Sequence, residues 1–282
     1  MQSILIFGST GSLGKILARY LIKKKFKVFT DQKYKTKLKK NNGSKLFEKI
    51  IERTKPNYIV NLVALTNVDL CEKNKKLANK SNNLFVKNLV TAIKKIKEIY
   101  LIHVSTDQVY SGRGNHIENL TKPVNFYGIS KLKGEKHANK TPSTILRTNF
   151  VGKTKNKSNL CNWIYQNLKK KKKIYGYKNI YFSPVHTTTL VKLIEKVLKK
   201  KIKGIYNLGA SNKISKAKFA ERFALGIGSD KKLIQKINYT KKNLIAKRPL
   251  DMGTKIKKFE YTFKTKLPKV ETEIIKLVKE YK

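Results

Sequence analysis

Ser3-Ile4-Leu5-Ile6-Phe7, followed at once by Gly8-Ser9-Thr10-Gly11-Ser12-Leu13-Gly14, decides how the rest of this chain folds. The apolar run predicts a buried strand, and Leu13, Ile16, Leu17, Tyr20 and Leu21 recur at the spacing of an amphipathic helix. Between them stands G-x-x-G-x-x-G. A glycine at the strand end permits a tight turn, a second lets backbone N–H groups approach a pyrophosphate, and a third lets helix pack on strand. The helix N-terminus then stabilises the anion. The spacing differs from G-x-G-x-x-G, yet its place between strand and helix points to dinucleotide binding through Gly8, Thr10, Gly11, Ser12, Leu13 and Gly14. A second strand, Phe26 to Thr30, completes a unit long enough for a parallel crossover.

Working outward, helices are predicted near 43–53, 76–97, 127–139, 159–171 and 188–199, and strands at 58–65, 99–105, 143–148 and 204–208. This alternation reads as an α/β fold, a doubly wound parallel sheet covered on both faces. After Gly209 the pattern changes to helices near 215–225 and 270–279 around a polar stretch through Arg248-Pro249-Leu250. The expected organisation is a dinucleotide-binding part, 1–148 with 184–210 returning to it. A smaller substrate lobe, 149–183 and 211–282, would sit at the sheet's carboxyl edge, where ligands of open α/β folds bind.

Composition limits the alternatives. The 282 residues suit one large domain or a main domain with an appendage, and 40% hydrophobic residues with six prolines exclude a disordered or collagen-like chain. Two cysteines exclude a disulfide-stapled scaffold and favour a reducing cytosol. The net charge of +48 invites a nucleic-acid reading, but only six of the 65 basic residues are arginine, the better phosphate and base reader. The lysines are scattered, and the runs Lys169–Lys173 and Lys199–Lys201 close predicted helices, where cations oppose the negative pole. A solvated face is expected, with no specific nucleic-acid site. No targeting leader and no apolar run of the ~18 residues a membrane span needs is visible, so the expectation is a cytoplasmic protein. His103 reads as a satisfied core histidine. His116, His137 and His186 share no metal-ligand spacing, and no metal is expected. Cys71 and Cys161 read as buried packing, and Trp163, Tyr165 and Leu168 as the apolar face of a lobe helix.

The chemistry concentrates in Tyr127-Gly128-Ile129-Ser130-Lys131, after a strand ending Val104-Ser105-Thr106-Asp107. Tyrosine and lysine four apart on a helix share one face. An ammonium beside a phenol favours phenolate and lowers its pKa, which lets the tyrosine exchange a proton near neutral pH. Asp31, at the end of the second strand, is placed either to hold the adenosine ribose hydroxyls or to close a turn. Lys33 and Lys35 would instead suit a 2′-phosphate, leaving NADH and NADPH both open.

At these residues the sequence resembles the extended short-chain dehydrogenase/reductases, and within them the dTDP-4-dehydrorhamnose reductase group. Asn61 to Glu72 is similar to that group's N-x-A-A-x-T-x-V-D-x-x-E, and Ser105 to Tyr110 to its S-T-D-Y-V-F. Pro123 to Glu135 is similar to P-x-N-x-Y-G-x-T-K-x-x-G-E, Leu146 to Val151 to L-R-T-x-W-V, and Arg248-Pro249-Leu250 to its late R-P-x. The resemblance implies a Rossmann-type fold and NAD(P)H-dependent reduction of a sugar C4 ketone on a nucleotide, for polysaccharide synthesis. Tyr127 would be the general acid, Lys131 would lower its pKa and hold the nicotinamide ribose, and Thr106 would hydrogen-bond the reacting oxygen. The cofactor would also meet Ala64, Thr66 and Asn82. The substrate would meet Thr106, Asp107, Asn149, Phe150 and Arg248; the oligomeric state is left open, a homodimer being one option.

Three features depart from the group: Val63 replaces an alanine, Phe150 replaces a tryptophan, and the segment around Ser183-Pro184-Val185-His186 is shorter. Gln108 stands where related 4,6-dehydratases carry glutamate. A neutral amide cannot take the C5 proton, so reduction is favoured over dehydration. Asp107 itself suits a turn cap as well as chemistry. A nucleotide-sugar epimerase on the same scaffold and a non-catalytic, NADP-binding regulatory subunit remain the alternatives.

Overall fold

The computed structural model describes residues 1–282 except 35–37, 39–42, 97–98, 113, 155–158 and 241–243. In chain order it begins β1 (Ser3–Phe7), α1 (Ser12–Lys23), β2 (Lys27–Thr30), α2 (Ser44–Thr54), β3 (Tyr58–Asn61), α3 (Val68–Lys73), α4 (Lys75–Asn79) and α5 (Phe85–Lys95). There follow β4 (Tyr100–Thr106), α6 (Phe126–Ala138), β5 (Ser143–Thr148), β6 (Phe150–Val151), α7 (Leu160–Lys169), β7 (Ile174–Tyr177), β8 (Tyr181–Phe182) and β9 (Val185–His186). The chain closes with α8 (Thr187–Lys200), β10 (Gly204–Leu208), β11 (Ile214–Ser215), α9 (Lys216–Gly226), β12 (Ile234–Ile237), α10 (Lys257–Phe263) and α11 (Val270–Lys279).

Six strands form one sheet in the order β10-β5-β4-β3-β1-β2, every pair parallel. Alternate residues go to opposite faces, as the strand pleat requires. Ile4, Ile6, Val60, Ile102 and Leu146 pack with residues of α1, α8 and α10, while Leu5, Phe7, Ile59, Leu101 and Ile145 pack with α2 and α5. Burial on both faces explains why these strands read as continuous apolar runs. Because β2 and β3 flank β1 on opposite sides, the chain reverses direction there and opens a crevice at the carboxyl ends of β1 and β3. A separate hydrophobic cluster joins α7, β7, α9, β12 and α11. β7 and β12 pair parallel from 60 residues apart, Ile174 opposite Ile234, a contact with no local sequence signal. Among the described residues no helix is long and apolar enough to cross a membrane.

Two predicted elements differ. The strand at 58–65 stops at Asn61: the Leu62 N–H still reaches Phe7 O at 2.9 Å, but the Asn61 side-chain oxygen takes the Val63 N–H at 3.0 Å in place of a strand partner. The helix near 76–97 begins earlier and is broken. Asn67 caps α3 through Leu70 N–H, Asn74 caps α4 through Leu77 N–H, and a single π turn, Lys80–Leu84, joins α4 to α5.

Candidate active site

The glycine turn lies at the mouth of the crevice. Gly8 sits at φ +84°, and a Cβ there would come within 2.9 Å of the Leu62 carbonyl carbon, so only glycine suits both backbone and neighbour. A Cβ on Gly14 would approach Gly8 O to 2.3 Å, which fixes how closely α1 meets the turn. No side chain caps α1 at Gly11. Its first-turn N–H groups and positive pole are therefore available to an anion, and the cradle fits a pyrophosphate. Thr10 is half-buried, Gly11 and Ser12 are exposed beside it, and Leu13 turns its side chain into the core.

Asp31 performs the second of the two roles its position suits, closing the turn. Its carboxylate accepts the Gly8 N–H at 2.8 Å, the Ser9 N–H at 3.1 Å and the Ser9 hydroxyl at 2.5 Å. Those bonds occupy both oxygens and brace the turn from beneath. Lys33 is exposed nearby, and Lys35 lies outside the described residues. Asn82 is likewise spent inside the protein. Fully buried in the π turn, it accepts the Leu65 N–H at 2.8 Å and donates to Leu65 O and to the Ser130 hydroxyl. It thereby holds the loop carrying Ala64, half-buried, and Thr66, exposed, against α6.

β4 and α6 bring Thr106, Tyr127 and Lys131 together. Asn125 caps α6 by accepting the Gly128 N–H, and its amide donates to Gln108 Oε1 and Lys247 O, which fixes the start of the helix against the strand end. Glu72 accepts the Phe126 N–H at 2.9 Å. The Thr106 hydroxyl lies near enough to the Tyr127 phenol to act on it, and itself donates to Asp107 Oδ1 and accepts the Gln108 N–H. Lys131, 1% exposed, donates from Nζ to Val104 O at 2.8 Å. Here the pKa expectation is overturned. Burial pushes the Tyr127 phenol above its ordinary value, and burial lowers Lys131 to about 8, with Glu135 opposing. The ammonium is turned to the strand carbonyl, and desolvation outweighs any charge it lends the phenol.

Beneath the site Glu135 of α6 and Arg147 of β5 form a buried ion pair, with Nη2 2.6 Å from Oε2. Ser105 also donates to Glu135, while Arg147 reaches Tyr110 and the Glu118 carbonyl. Each guanidinium nitrogen of Arg147 has a partner in this network, which ties α6 to β5. His103 is only half satisfied. Its Nδ1 meets Asn61 at 3.1 Å, its buried Nε2 has no partner among the described residues, and burial keeps the ring neutral. Cys71 and Cys161 are buried, and burial raises their thiols to about 11 and about 12. Among the described residues no group of three or more His, Cys, Asp and Glu side chains could hold a metal.

A cavity of about 530 Å³ lies beyond the ends of β4 and β5, reached through Gln108 and Asn149, while Thr106, Tyr127 and Lys131 are not part of its wall. Gln108, Asn149, Lys216 and Arg248 line it, with Trp163, Tyr175 and Tyr177 forming an aromatic wall. Asp107 is buried, accepts the Asn149 amide at 2.9 Å, and is raised by burial to about 6. Phe150 is half-buried and packs against the core cluster. Arg248 lines the cavity but is engaged, with Nη2 2.8 Å from Asp69 and Nη1 on Ala246 O. Trp163 is 42% exposed at the wall, whereas Leu168 is buried and Tyr165 packs at a tilt against Tyr281. Lys216 escaped the sequence reading. A lysine at the first position of a helix opposes the positive pole, a signal in principle, but lost among so many lysines.

The profile described as RmlD substrate binding domain matches residues 1–282. The dTDP-4-dehydrorhamnose reductase of Salmonella typhimurium is 32% identical over 155 residues, 53% of this chain and 52% of that protein, so the match spans about half the relative's length. The enzyme of the same name from Shigella flexneri is 24% identical over 294 residues, 99% of this chain and 98% of that protein. The crystal structure of the Bacillus anthracis dTDP-4-dehydrorhamnose reductase in complex with NADP superposes with a TM-score of 0.90 at 22% identity, covering 99% of this chain and 100% of that one. A six-stranded parallel sheet, an uncapped glycine turn at its reversal point and a family match from end to end place this chain in the RmlD substrate-binding-domain family, on a Rossmann-type reductase fold.

Proposed function

We propose that this chain uses NADPH or NADH to reduce the 4-keto group of a deoxyhexose linked to a nucleoside diphosphate. The foremost candidate reaction is dTDP-4-dehydrorhamnose to dTDP-L-rhamnose, feeding polysaccharide synthesis. The observation that carries this reading is the gathering of Thr106, Tyr127 and Lys131 at the end of β4, in the same parallel sheet whose first strand leads into the glycine turn, with a 530 Å³ cavity lined by the neighbouring Gln108 and Asn149. The names of the matched relatives support it. A nicotinamide coenzyme seated on the turn would supply hydride. Residues 1–148 with 184–210 would hold it, and 149–183 with 211–282 would hold the sugar nucleotide.

Within this reading Tyr127 gives its proton to the carbonyl oxygen, and the Thr106 hydroxyl steadies the same oxygen. A buried phenol with a raised pKa keeps its proton until that oxygen gains charge, which suits an acid better than a phenolate would. Lys131, one turn away, offsets the charge left on the phenol. Gln108 offers no carboxylate for proton abstraction, which favours reduction over elimination.

The test is consumption of NADPH and of NADH by the purified protein against a panel of 4-keto sugar nucleotides, with coenzyme binding measured in parallel. Steady turnover with one of them supports the reading. Coenzyme binding with no consumption on any of them overturns it and favours a regulatory role.

A further inference from the structure

The cations of the cavity are not equivalent. Arg248 is committed to Asp69 and Ala246 O, and Lys173 is exposed to solvent. Lys216 differs from both. It is the first residue of α9, and its ammonium lies 3.2 Å from the centroid of the Phe182 ring, which holds it in place by cation–π attraction. Among the described residues no carboxylate lies within ion-pair distance of that ammonium, and no oxygen accepts a hydrogen bond from it. An ammonium carries three donors. A half-buried cation with all three unused, at a cavity wall, is a site built for an anionic oxygen that the protein itself does not supply.

Its counter-charge is Asp107, whose buried carboxylate acts on it without touching it and gives its own oxygens to Asn149 and Thr106. Burial lowers Lys216 to about 8 and Asp107 opposes the shift, so the side chain is mainly cationic at neutral pH. The chemistry required of the ligand is a compact, multiply charged anion adjoining an aromatic-walled space. A diphosphate attached to a planar base has that form.

We propose that Lys216 takes a phosphoryl oxygen of the nucleoside diphosphate, and that Asp107 is the stand-in counter-charge which the phosphate replaces. The inference rests on the nucleotide-linked substrate proposed above, and it makes Lys216, in place of the engaged Arg248, the cation that fixes diphosphate affinity.

Thymidine diphosphate and thymidine are suitable probes, titrated calorimetrically near physiological ionic strength, where the chain's diffuse charge is screened within about 8 Å. Lys216→Met should weaken thymidine diphosphate by roughly tenfold or more, the effect of losing one charge-assisted hydrogen bond. Thymidine should bind it as it binds the unaltered protein. Lys216→Arg should retain diphosphate binding within a few-fold. Asp107→Asn, which leaves Lys216 in place, should tighten the diphosphate and leave thymidine unchanged. Unchanged diphosphate affinity in Lys216→Met, an equal loss of thymidine, or no tightening in Asp107→Asn overturns the proposal. Neither probe has a ketone, so a protein that reduces no sugar can still pass this test and a true reductase can still fail it.

Discussion

Lys131 Nζ reaches the Val104 carbonyl at 2.8 Å, two residues before Thr106, whose hydroxyl lies near enough to the Tyr127 phenol to act on it. One strand end thus holds both members of the Tyr-Lys pair, each by its own contact. The phenol is positioned by a neighbour that can also touch substrate, and the ammonium by backbone that cannot move independently of the sheet.

Tyr127→Phe removes the proton donor and one hydroxyl, and leaves the ring in its buried place. Turnover should fall by about 10²- to 10⁴-fold, the range for losing a general acid. Coenzyme affinity, followed by fluorescence titration, should stay within a few-fold. Full turnover in this variant would remove Tyr127 as the acid.

Lys131 carries a stability signature of its own. Its pKa lies at about 8 in the folded chain against an ordinary 10.5. Below pH 8 both states are protonated, and burying the charge is a constant cost. Between about 8 and 10.5 the unfolded chain binds more protons, so this contribution rises with pH. Lys131→Met should therefore melt above the unaltered protein at pH 7, with the gap closing as pH approaches 10.5. Comparing the two proteins cancels the other basic groups. A gap that widens with pH would contradict the assignment.

Glu135 and Arg147 are 2% and 3% exposed, so removing one leaves the other charged and buried. Glu135→Gln should cost about 3–5 kcal/mol in denaturant unfolding. Arg147→Met on that background should recover part of the loss, giving a coupling energy in the double-mutant cycle. Additive losses would show that the pair does not act as a unit.

Much of this architecture is legible locally. The glycine turn, the buried strands and Tyr127 with Lys131 are encoded within a few residues of one another, where strand and helix periodicities speak directly. Asp31 shows where local reading stops. Its spacing from Gly8 suits either a ribose contact or a turn, and only the fold reveals that both oxygens return to Gly8 and Ser9. The pKa of Tyr127 failed for a related reason: proximity to lysine is visible along a helix, whereas the depth of burial is set by distant segments. The pairing of β7 with β12 and the exposure of Lys216 to the cavity are non-local too, and in a chain carrying 65 basic residues no single lysine stands out.

Gly14→Ala places a methyl group 2.3 Å from Gly8 O, against backbone that cannot swing aside. The turn must open or α1 must shift. Coenzyme binding should drop by at least tenfold, with a destabilisation of about 1–3 kcal/mol from overpacking. A variant that binds coenzyme normally would show that the turn does not receive the pyrophosphate.

The π turn at Lys80–Leu84 gives this stretch a length that evolution cannot edit freely. Deleting one residue there would let α4 and α5 fuse into a regular rod, turning everything upstream by about 100° about the axis, since each residue of an α-helix advances by 1/3.6 of a turn. Asn82 would swing away from Ser130 and Leu65. A one-codon loss in that helix would thus silence chemistry carried entirely by other segments, while leaving every catalytic side chain in the gene.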